Sequence, residues 1–154
     1  MLETLDRTDR EILSILQRDA RISNAELAEK VNLSPTPCLR RLRKLENEGW
    51  IRQYRAELND KQLGFEIAAM VFVKLDKNTR SNGEAFEREL DNLPEITECC
   101  VVTGGHDYVL RVVTRTLADY EQFLKERLAT VAQVADLESL IILNRSLYRN
   151  ELPV

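Results

Sequence analysis

Four basic side chains stand close together in the first third of the sequence, namely Arg40, Arg41, Arg43 and Lys44. Leu39, Leu42 and Leu45 recur among them at three-residue spacing, which predicts a helix with an apolar inner face and basic flanks and outer face. Such cations can bind DNA phosphates, and an arginine can also donate two hydrogen bonds to a guanine. The pattern favours a DNA-binding helix over a solvated charged surface, which is the usual role of a charge run.

A second candidate group links two predicted strands, Gly104-Gly105-His106-Asp107-Tyr108. Paired glycines permit positive φ angles and let a ligand approach the backbone, whose amides can bind a carboxylate. The carboxylate of Asp107 could accept hydrogen bonds from an ammonium group. Taken alone, a turn of this composition is more often a simple hairpin connection, so both interpretations stay open at this point.

The sequence offers little for catalysis or metal binding. His106 is the one histidine, so a nucleophile activated by histidine has no other base to use. Three cysteines, two of them adjacent at Cys99 and Cys100, lack the paired Cys-x-x-Cys spacing of a zinc site and do not suggest a disulfide framework. We therefore expect no enzyme, no cofactor and no metal, and a reducing compartment.

Composition is that of a globular protein, with 154 residues, 44% apolar residues and a net charge of −4. No stretch approaches the roughly 20 apolar residues of a membrane span, and the N-terminus lacks a basic region followed by an apolar one. We expect a cytoplasmic protein without a membrane partner. Residues 1–60 carry 11 basic and 11 acidic side chains, and residues 61–154 carry 11 and 15, so the acidic excess lies in the second part.

Capping signals predict three helices before residue 50. Asp6 caps the first, Ser23 with Glu26 forms a capping box for the second, and Ser34 begins the third, with prolines in its first turn. Gly49 ends the third helix. This arrangement predicts a helix-turn-helix at about residues 24–43, with Trp50 in the bundle core and a strand over residues 50–58 as a wing or connector.

After residue 60 the pattern changes to apolar strands alternating with amphipathic helices. The predicted elements are strand 65–75, helix 81–93, strand 96–103, strand 108–114, helix 117–129 and strand 134–143. Their order, β-α-β-β-α-β, predicts a ferredoxin-like four-stranded antiparallel sheet with both helices on one face, and hence an α+β chain. Because the first strand is apolar on both faces, we expect the uncovered face to pack against another subunit.

The sequence resembles the Lrp/AsnC, or feast/famine, family of transcription regulators. Three stretches carry the resemblance: Leu5-Asp6-Arg7-Thr8-Asp9-Arg10-Glu11-Ile12-Leu13; Leu33-Ser34-Pro35-Thr36-Pro37-Cys38-Leu39-Arg40-Arg41-Leu42 with the positions on to Tyr54; and Thr103-Gly104 with Asp107-Tyr108 before Leu110-Arg111-Val112. It implies a winged helix-turn-helix domain (1–58), a strand linker (59–64) and a ferredoxin-like effector-binding and oligomerisation domain (65–154). It also implies homodimers that assemble further, commonly to octamers, and a small amino acid as effector.

The resemblance also implies site residues. The effector site maps onto Gly104, Gly105, His106, Asp107 and Tyr108, together with Ser139 from the facing subunit. Many relatives have an acidic residue and then a tyrosine where this chain has Gly105 and His106. The predicted DNA-binding residues are Asn24, Ser34, Thr36, Pro37, Arg40, Arg41, Arg43 and Lys44.

Three hypotheses follow from the sequence. The leading one is an oligomeric regulator that binds double-stranded, pseudo-palindromic operators, with half-sites about one helical turn apart, under control of an amino acid. The alternative is an architectural DNA-binding protein without an effector, suggested by the departure at Gly105 and His106. An enzyme built on the ferredoxin-like part would need catalytic residues that the sequence does not offer.

Overall fold

A computed structural model describes residues 5–154, so residues 1–4, which the first predicted domain includes, lie outside the described residues. Internal contacts divide the chain into two units. The N-terminal unit extends to Glu57 and also contains Leu147–Val154, and the C-terminal unit is Leu58–Ser146. The last eight residues therefore pack with the helical unit, although the sequence placed them with the second domain.

Three helices build the N-terminal unit, and the predicted side-chain caps of the first two are formed. Asp6 accepts a hydrogen bond from the Asp9 amide at 2.8 Å, and both halves of the Ser23–Glu26 capping box are formed. The buried apolar core lies where the three helices meet. The helices are α1 (Arg7–Arg18), α2 (Asn24–Lys30) and α3 (Pro35–Asn47).

Two predictions for the segment after α3 are wrong. Residues 50–58 form no strand, because no other strand of the described chain runs beside them to supply hydrogen bonds. Trp50 does not enter the core either. Its side chain is 39% exposed, and its indole Nε1 donates to the Glu48 carboxylate at 3.2 Å.

The C-terminal unit has the predicted β-α-β-β-α-β order and forms a four-stranded antiparallel sheet in the spatial order β2-β3-β1-β4. The two central strands pair over seven residues, with Ile67 opposite Thr114 at one end and Val73 opposite Tyr108 at the other. The elements are β1 (Ile67–Leu75), α4 (Arg80–Leu90), β2 (Ile96–Val101), β3 (Tyr108–Thr114), α5 (Leu117–Gln122) and β4 (Val134–Ile141).

The second helix of this unit differs from the prediction of one regular helix over residues 117–129. After α5 the chain continues as a π-helical segment, Phe123–Leu128. Periodicity could not reveal this change, because Tyr120, Leu124 and Leu128 recur every four residues, a spacing that an α-helix also fits.

The two faces of the sheet have different environments. One face joins the helices in the core, where Val71 and Leu110 pack with Phe86, Tyr120 and Phe123. The other, which we call the bare face, contributes no residue to the core of the described chain. Its strands place six apolar side chains there: Ala68, Met70, Phe72, Val109, Val113 and Leu140.

Candidate DNA-binding and effector-binding sites

The outward side of α3 carries a stripe of four polar residues. They are exposed and recur with the period of the helix, on the side opposite the buried Cys38 and Leu45. Their side chains are long or hydrogen-bonding, as base and phosphate contacts require. We call this set the outer stripe: Thr36, Arg40, Arg43 and Asn47.

Arg41 does not lie on that side. Its Nη1 donates to Asp6 Oδ2 at 2.6 Å and to Asp9 Oδ1 at 2.8 Å, so it joins α3 to the start of α1. These hydrogen bonds raise the pKa of Arg41. The pKa of Asp6 is lowered, mainly by the hydrogen bond from the Asp9 amide and next by the hydrogen bond from Arg41. The expectation that Arg41 faces outward with its neighbours is therefore corrected.

The start of α3 supplies fewer backbone donors than the sequence suggested. Pro35 and Pro37 have no N–H, and the Cys38 amide donates to the Ser34 carbonyl at 3.2 Å. Ser34 occupies the N-cap position, but its hydroxyl makes no capping hydrogen bond. A phosphate at this end would therefore meet the Ser34 hydroxyl, the Thr36 amide and the Thr36 hydroxyl, and not a row of amides.

Asn24 and Lys44 flank the outer stripe and contact neighbouring residues. The Asn24 Nδ2 donates to the Pro35 carbonyl at 2.9 Å, which joins the starts of α2 and α3. Its Oδ1 is buried without a hydrogen-bond partner among the described residues. Lys44 lies 3.6 Å from the Glu48 carboxylate, one helical turn away.

The loop between β2 and β3 presents its glycines to solvent. Gly104 has a φ angle of +116°, a conformation that residues with a side chain rarely adopt, and both Gly104 and Gly105 are exposed. The ends of the loop are joined by the Val102 amide, which donates to the Asp107 carbonyl at 3.0 Å. Both glycines are thus open to solvent, and ligand binding at this turn stays a prediction.

The Asp107 carboxylate points into the protein instead of toward the loop surface. It is buried and accepts from the Leu75 amide at 2.8 Å and from Asn78 Nδ2 at 2.7 Å, with Lys74 Nζ at 3.5 Å. Each carboxylate oxygen thus already accepts one short hydrogen bond from within the protein. Asp107 therefore positions the loop against the end of β1, and its predicted contact with a ligand stays a prediction.

Tyr108 is also a core residue. Its ring packs on Phe86 at a centroid distance of 4.9 Å, and its hydroxyl donates to Glu87 at 2.9 Å. Burial, followed by the hydrogen bond to Glu87, raises the pKa of Tyr108 to about 12. A Cβ on Gly83 would lie 2.7 Å from the Tyr108 hydroxyl, so this packing requires glycine there.

His106, in the loop before β3, contacts the bare face, whereas Ser139 lies in β4 on the other face of the sheet. The His106 ring packs on Phe72 at 5.4 Å, and its Nε2 lies 3.4 Å from Glu138 Oε2 on the bare face. Ser139 is exposed and stands opposite Val71, on the face that carries the helices. Sequence reasoning missed both Asn78 and Glu138, because no motif marks either residue and only the fold brings them to the loop.

The described residues contain no group of three or more histidine, cysteine or acidic side chains that could hold a metal ion. None of the described helices has the length and apolar character needed to cross a membrane. The features that remain are a helix-turn-helix with an outward polar stripe and a separate β-α-β-β-α-β unit with an exposed glycine turn. Together they define a two-domain DNA-binding regulator.

Comparison with known proteins identifies the family. Residues 5–52 match the winged helix-turn-helix DNA-binding family, and residues 68–152 match the Lrp/AsnC ligand-binding domain. The chain belongs to the Lrp/AsnC family of DNA-binding transcription regulators. The family resemblance and the fold class predicted from the sequence are confirmed.

Relatives match over nearly the whole chain. The leucine-responsive regulatory protein of Escherichia coli strain K12 is 38% identical over 150 residues, covering 97% of this chain and 92% of its own length. A transcriptional regulator of Neisseria meningitidis, solved as a complex with L-Met, is 35% identical with a TM-score of 0.93 and 97% coverage of both chains. AsnC of E. coli is 28% identical with a TM-score of 0.88, covering 96% of this chain and 98% of its own.

Proposed function

We propose that the outer stripe of α3 contacts the bases and phosphates of an operator in the major groove. The observation that carries this proposal is that Arg40 and Arg43 are exposed on the side of α3 opposite its buried face. An uncommitted guanidinium group can bind a phosphate or a guanine edge. Within residues 5–154, Arg40 and Arg43 have no salt bridge or side-chain hydrogen bond, unlike Arg41.

The other predicted DNA-binding residues have supporting roles in this proposal. Ser34 and Thr36 bind a phosphate at the start of α3, where Pro37 fixes the first turn. Lys44 adds positive charge beside the stripe, and Asn24 keeps the two helix starts together.

We further propose that two copies of the chain pair through the bare face of the sheet. Five of its six apolar residues are only half-buried in the single chain, and Leu140 is 54% exposed. An exposed, largely apolar surface of this kind, which also carries Arg111 between Val109 and Val113, is typical of a subunit interface. A two-fold dimer presents two copies of α3, which matches pseudo-palindromic operators with half-sites about one helical turn apart. Further assembly, up to the octamer expected from the sequence, and a cytoplasmic location remain predictions.

The effector in this proposal is a free amino acid bound at the loop of Gly104 and Gly105. Exposed amides in this loop can hold the ligand carboxylate, and Gly104 needs its positive φ angle to present them. The L-Met complex of the Neisseria relative supports this ligand class. His106 borders the loop. Because Ser139 lies on the face that carries the helices, the predicted partner is Ser139 of a subunit in a neighbouring dimer, not of the copy paired through the bare face. Asp107 and Tyr108 hold the loop in place from within the protein.

A melting-temperature screen against the common amino acids tests the effector part of this proposal. A ligand that binds only the folded state must raise the melting temperature. At a concentration of 100 times its Kd, the ligand adds about 2.7 kcal/mol to the free energy of unfolding. The active amino acid should also change operator affinity by about 5- to 150-fold. If no amino acid changes either quantity while specific DNA binding persists, the protein is an effector-independent architectural DNA-binding protein.

A further inference from the structure

The last turn of α1 binds the backbone of a residue near the end of the sequence. Gln17 Nε2 donates to the Leu152 carbonyl at 3.1 Å, and the Leu152 amide donates to Gln17 Oε1 at 2.6 Å. One side-chain amide thus satisfies both backbone groups of one residue. This is the pairing that a neighbouring β-strand would provide.

Pro153 prepares Leu152 for this contact. A residue before proline is restricted to extended conformations, in which its N–H and C=O point to the same side. The Leu152-Pro153 pair therefore presents the two groups that the Gln17 amide needs, with little further loss of conformational freedom. A second contact lies one residue earlier, where Arg18 Nε donates to Glu151 Oε2 at 2.9 Å.

The segment also lies along a groove of the N-terminal unit that is lined by both apolar and polar side chains. The groove has a volume of about 360 Å³, and Leu13, Leu16 and Trp50 line it together with Leu152 and Val154. Leu152 remains 71% exposed and Val154 44% exposed, so the segment covers the groove without being buried in it. Exposed ion pairs and surface hydrogen bonds contribute little to stability, so these contacts can open while the helices stay folded.

We propose that residues 147–154 form a releasable strap whose docking site is the groove between α1 and Trp50. The chain leaves the N-terminal unit after Glu57 and returns to it at Leu147, a few residues beyond β4. A docked strap therefore gives the DNA-binding unit a second connection, which is held by non-covalent contacts and continues along the chain from the strand that carries Ser139. A released strap leaves this unit connected only through residue 58.

Trp50 is the one tryptophan in the sequence and reports on the strap directly. Truncation after Ser146 should shift its emission to longer wavelength and raise its quenching by acrylamide, because the groove loses its cover. A synthetic peptide of residues 147–154, added to the truncated protein, should reverse both changes with saturation. This measurement uses neither DNA nor an amino acid, so its outcome is independent of the proposed function.

Gln17→Ala in the full chain should reproduce the change in Trp50 emission. In the truncated protein, the same substitution should weaken binding of the peptide at least tenfold relative to the truncated parent. Arg10→Ala, an exposed residue of the same helix, is the matched control and should behave like the parent. Unchanged emission in the full-length Gln17→Ala variant would overturn the proposal. So would a Trp50 signal in the parent that depends on protein concentration, since the strap would then come from a second copy.

Discussion

Arg41 Nη1 in α3 lies 2.8 Å from Asp9 Oδ1 in α1, and the Asp9 side chain is only 12% exposed. Asp6, the N-cap of the same helix, binds the same guanidinium nitrogen at 2.6 Å. One member of the basic cluster thus fixes the orientation of α3, and its neighbours on the outer stripe are left for DNA. A cluster that looks uniform in the sequence has two different functions in the fold.

Arg41→Ala should destabilise the N-terminal unit, because it leaves the nearly buried Asp9 carboxylate without its charged partner. The expected loss is about 1–3 kcal/mol of unfolding free energy, measured by urea denaturation at pH 7. Arg40→Ala, one residue away on the exposed side, is the matched control and should leave the unfolding midpoint unchanged. Equal midpoints for the two variants would show that the contact with Asp9 contributes nothing.

Asp6 should make the stability of this unit sensitive to acid. Its pKa is held below the ordinary value of 3.8, first by the Asp9 amide and then by Arg41, so folding favours the ionised form. A carboxyl group with a lowered folded pKa stabilises the fold above its unfolded pKa, and this contribution disappears as the pH falls below about 4.

Asp6→Asn tests this pH dependence, because asparagine is also a good N-cap residue but carries no charge. Its urea midpoint should lie below that of the parent at pH 7, and the difference should shrink between pH 4 and pH 3. Glu11→Gln, exposed on the same helix, serves as the control for removal of one negative charge. If the urea midpoints of Asp6→Asn and the parent differ by the same amount at pH 7 and pH 3, the ionised Asp6 carboxylate does not stabilise the fold.

Asp107→Ala should destabilise the C-terminal unit by about 1–3 kcal/mol, since the Leu75 amide then loses its acceptor in a buried site. Asp107→Asn keeps one oxygen for that amide and should lose less. The melting temperatures of the two variants measure this difference in stability. The alanine variant should also lose its response to the effector. If both variants melt like the parent, Asp107 does not hold the loop against β1.

Two adjacent glycines of the loop provide a matched pair of variants. A Cβ would meet no atom within 4 Å at either position, so crowding does not distinguish them. Gly104 alone has a positive φ angle, and Gly104→Ala should cost about 1–3 kcal/mol or change the loop conformation. Gly105→Ala should be close to neutral in melting temperature. A larger effect at Gly105 than at Gly104 would contradict the role given to the loop conformation.

The helices and strands were predictable because their signals are local. The Ser23–Glu26 capping box and the strand over Tyr108–Thr114 form where the sequence places them. The predicted strand over residues 50–58 failed because a strand needs a partner, and the described chain offers none beside that segment. The boundary between α5 and its π-helical continuation left no pattern to detect, because Tyr120, Leu124 and Leu128 keep a four-residue spacing across it.

Side-chain roles at the sites were harder to predict because they depend on tertiary contacts. Periodicity grouped Arg41 with its basic neighbours, but Asp6 and Asp9, more than thirty residues earlier, attract it to α1. Likewise Asp107 follows two glycines that suit a ligand, and its carboxylate is instead taken up by the backbone of Leu75. Only the fold reveals such partners.

The most direct test of the account is operator binding by the Arg40→Ala/Arg43→Ala double variant. DNA selected from a random library by the parent protein is compared with a scrambled sequence, at several salt concentrations, by fluorescence anisotropy. The parent should prefer the selected DNA by about a thousandfold or more, and the double variant should lose at least tenfold in affinity for it. Arg88→Ala, on the C-terminal unit, should bind like the parent. If the double variant keeps the parent's affinity and preference, the outer stripe is not the DNA-binding surface.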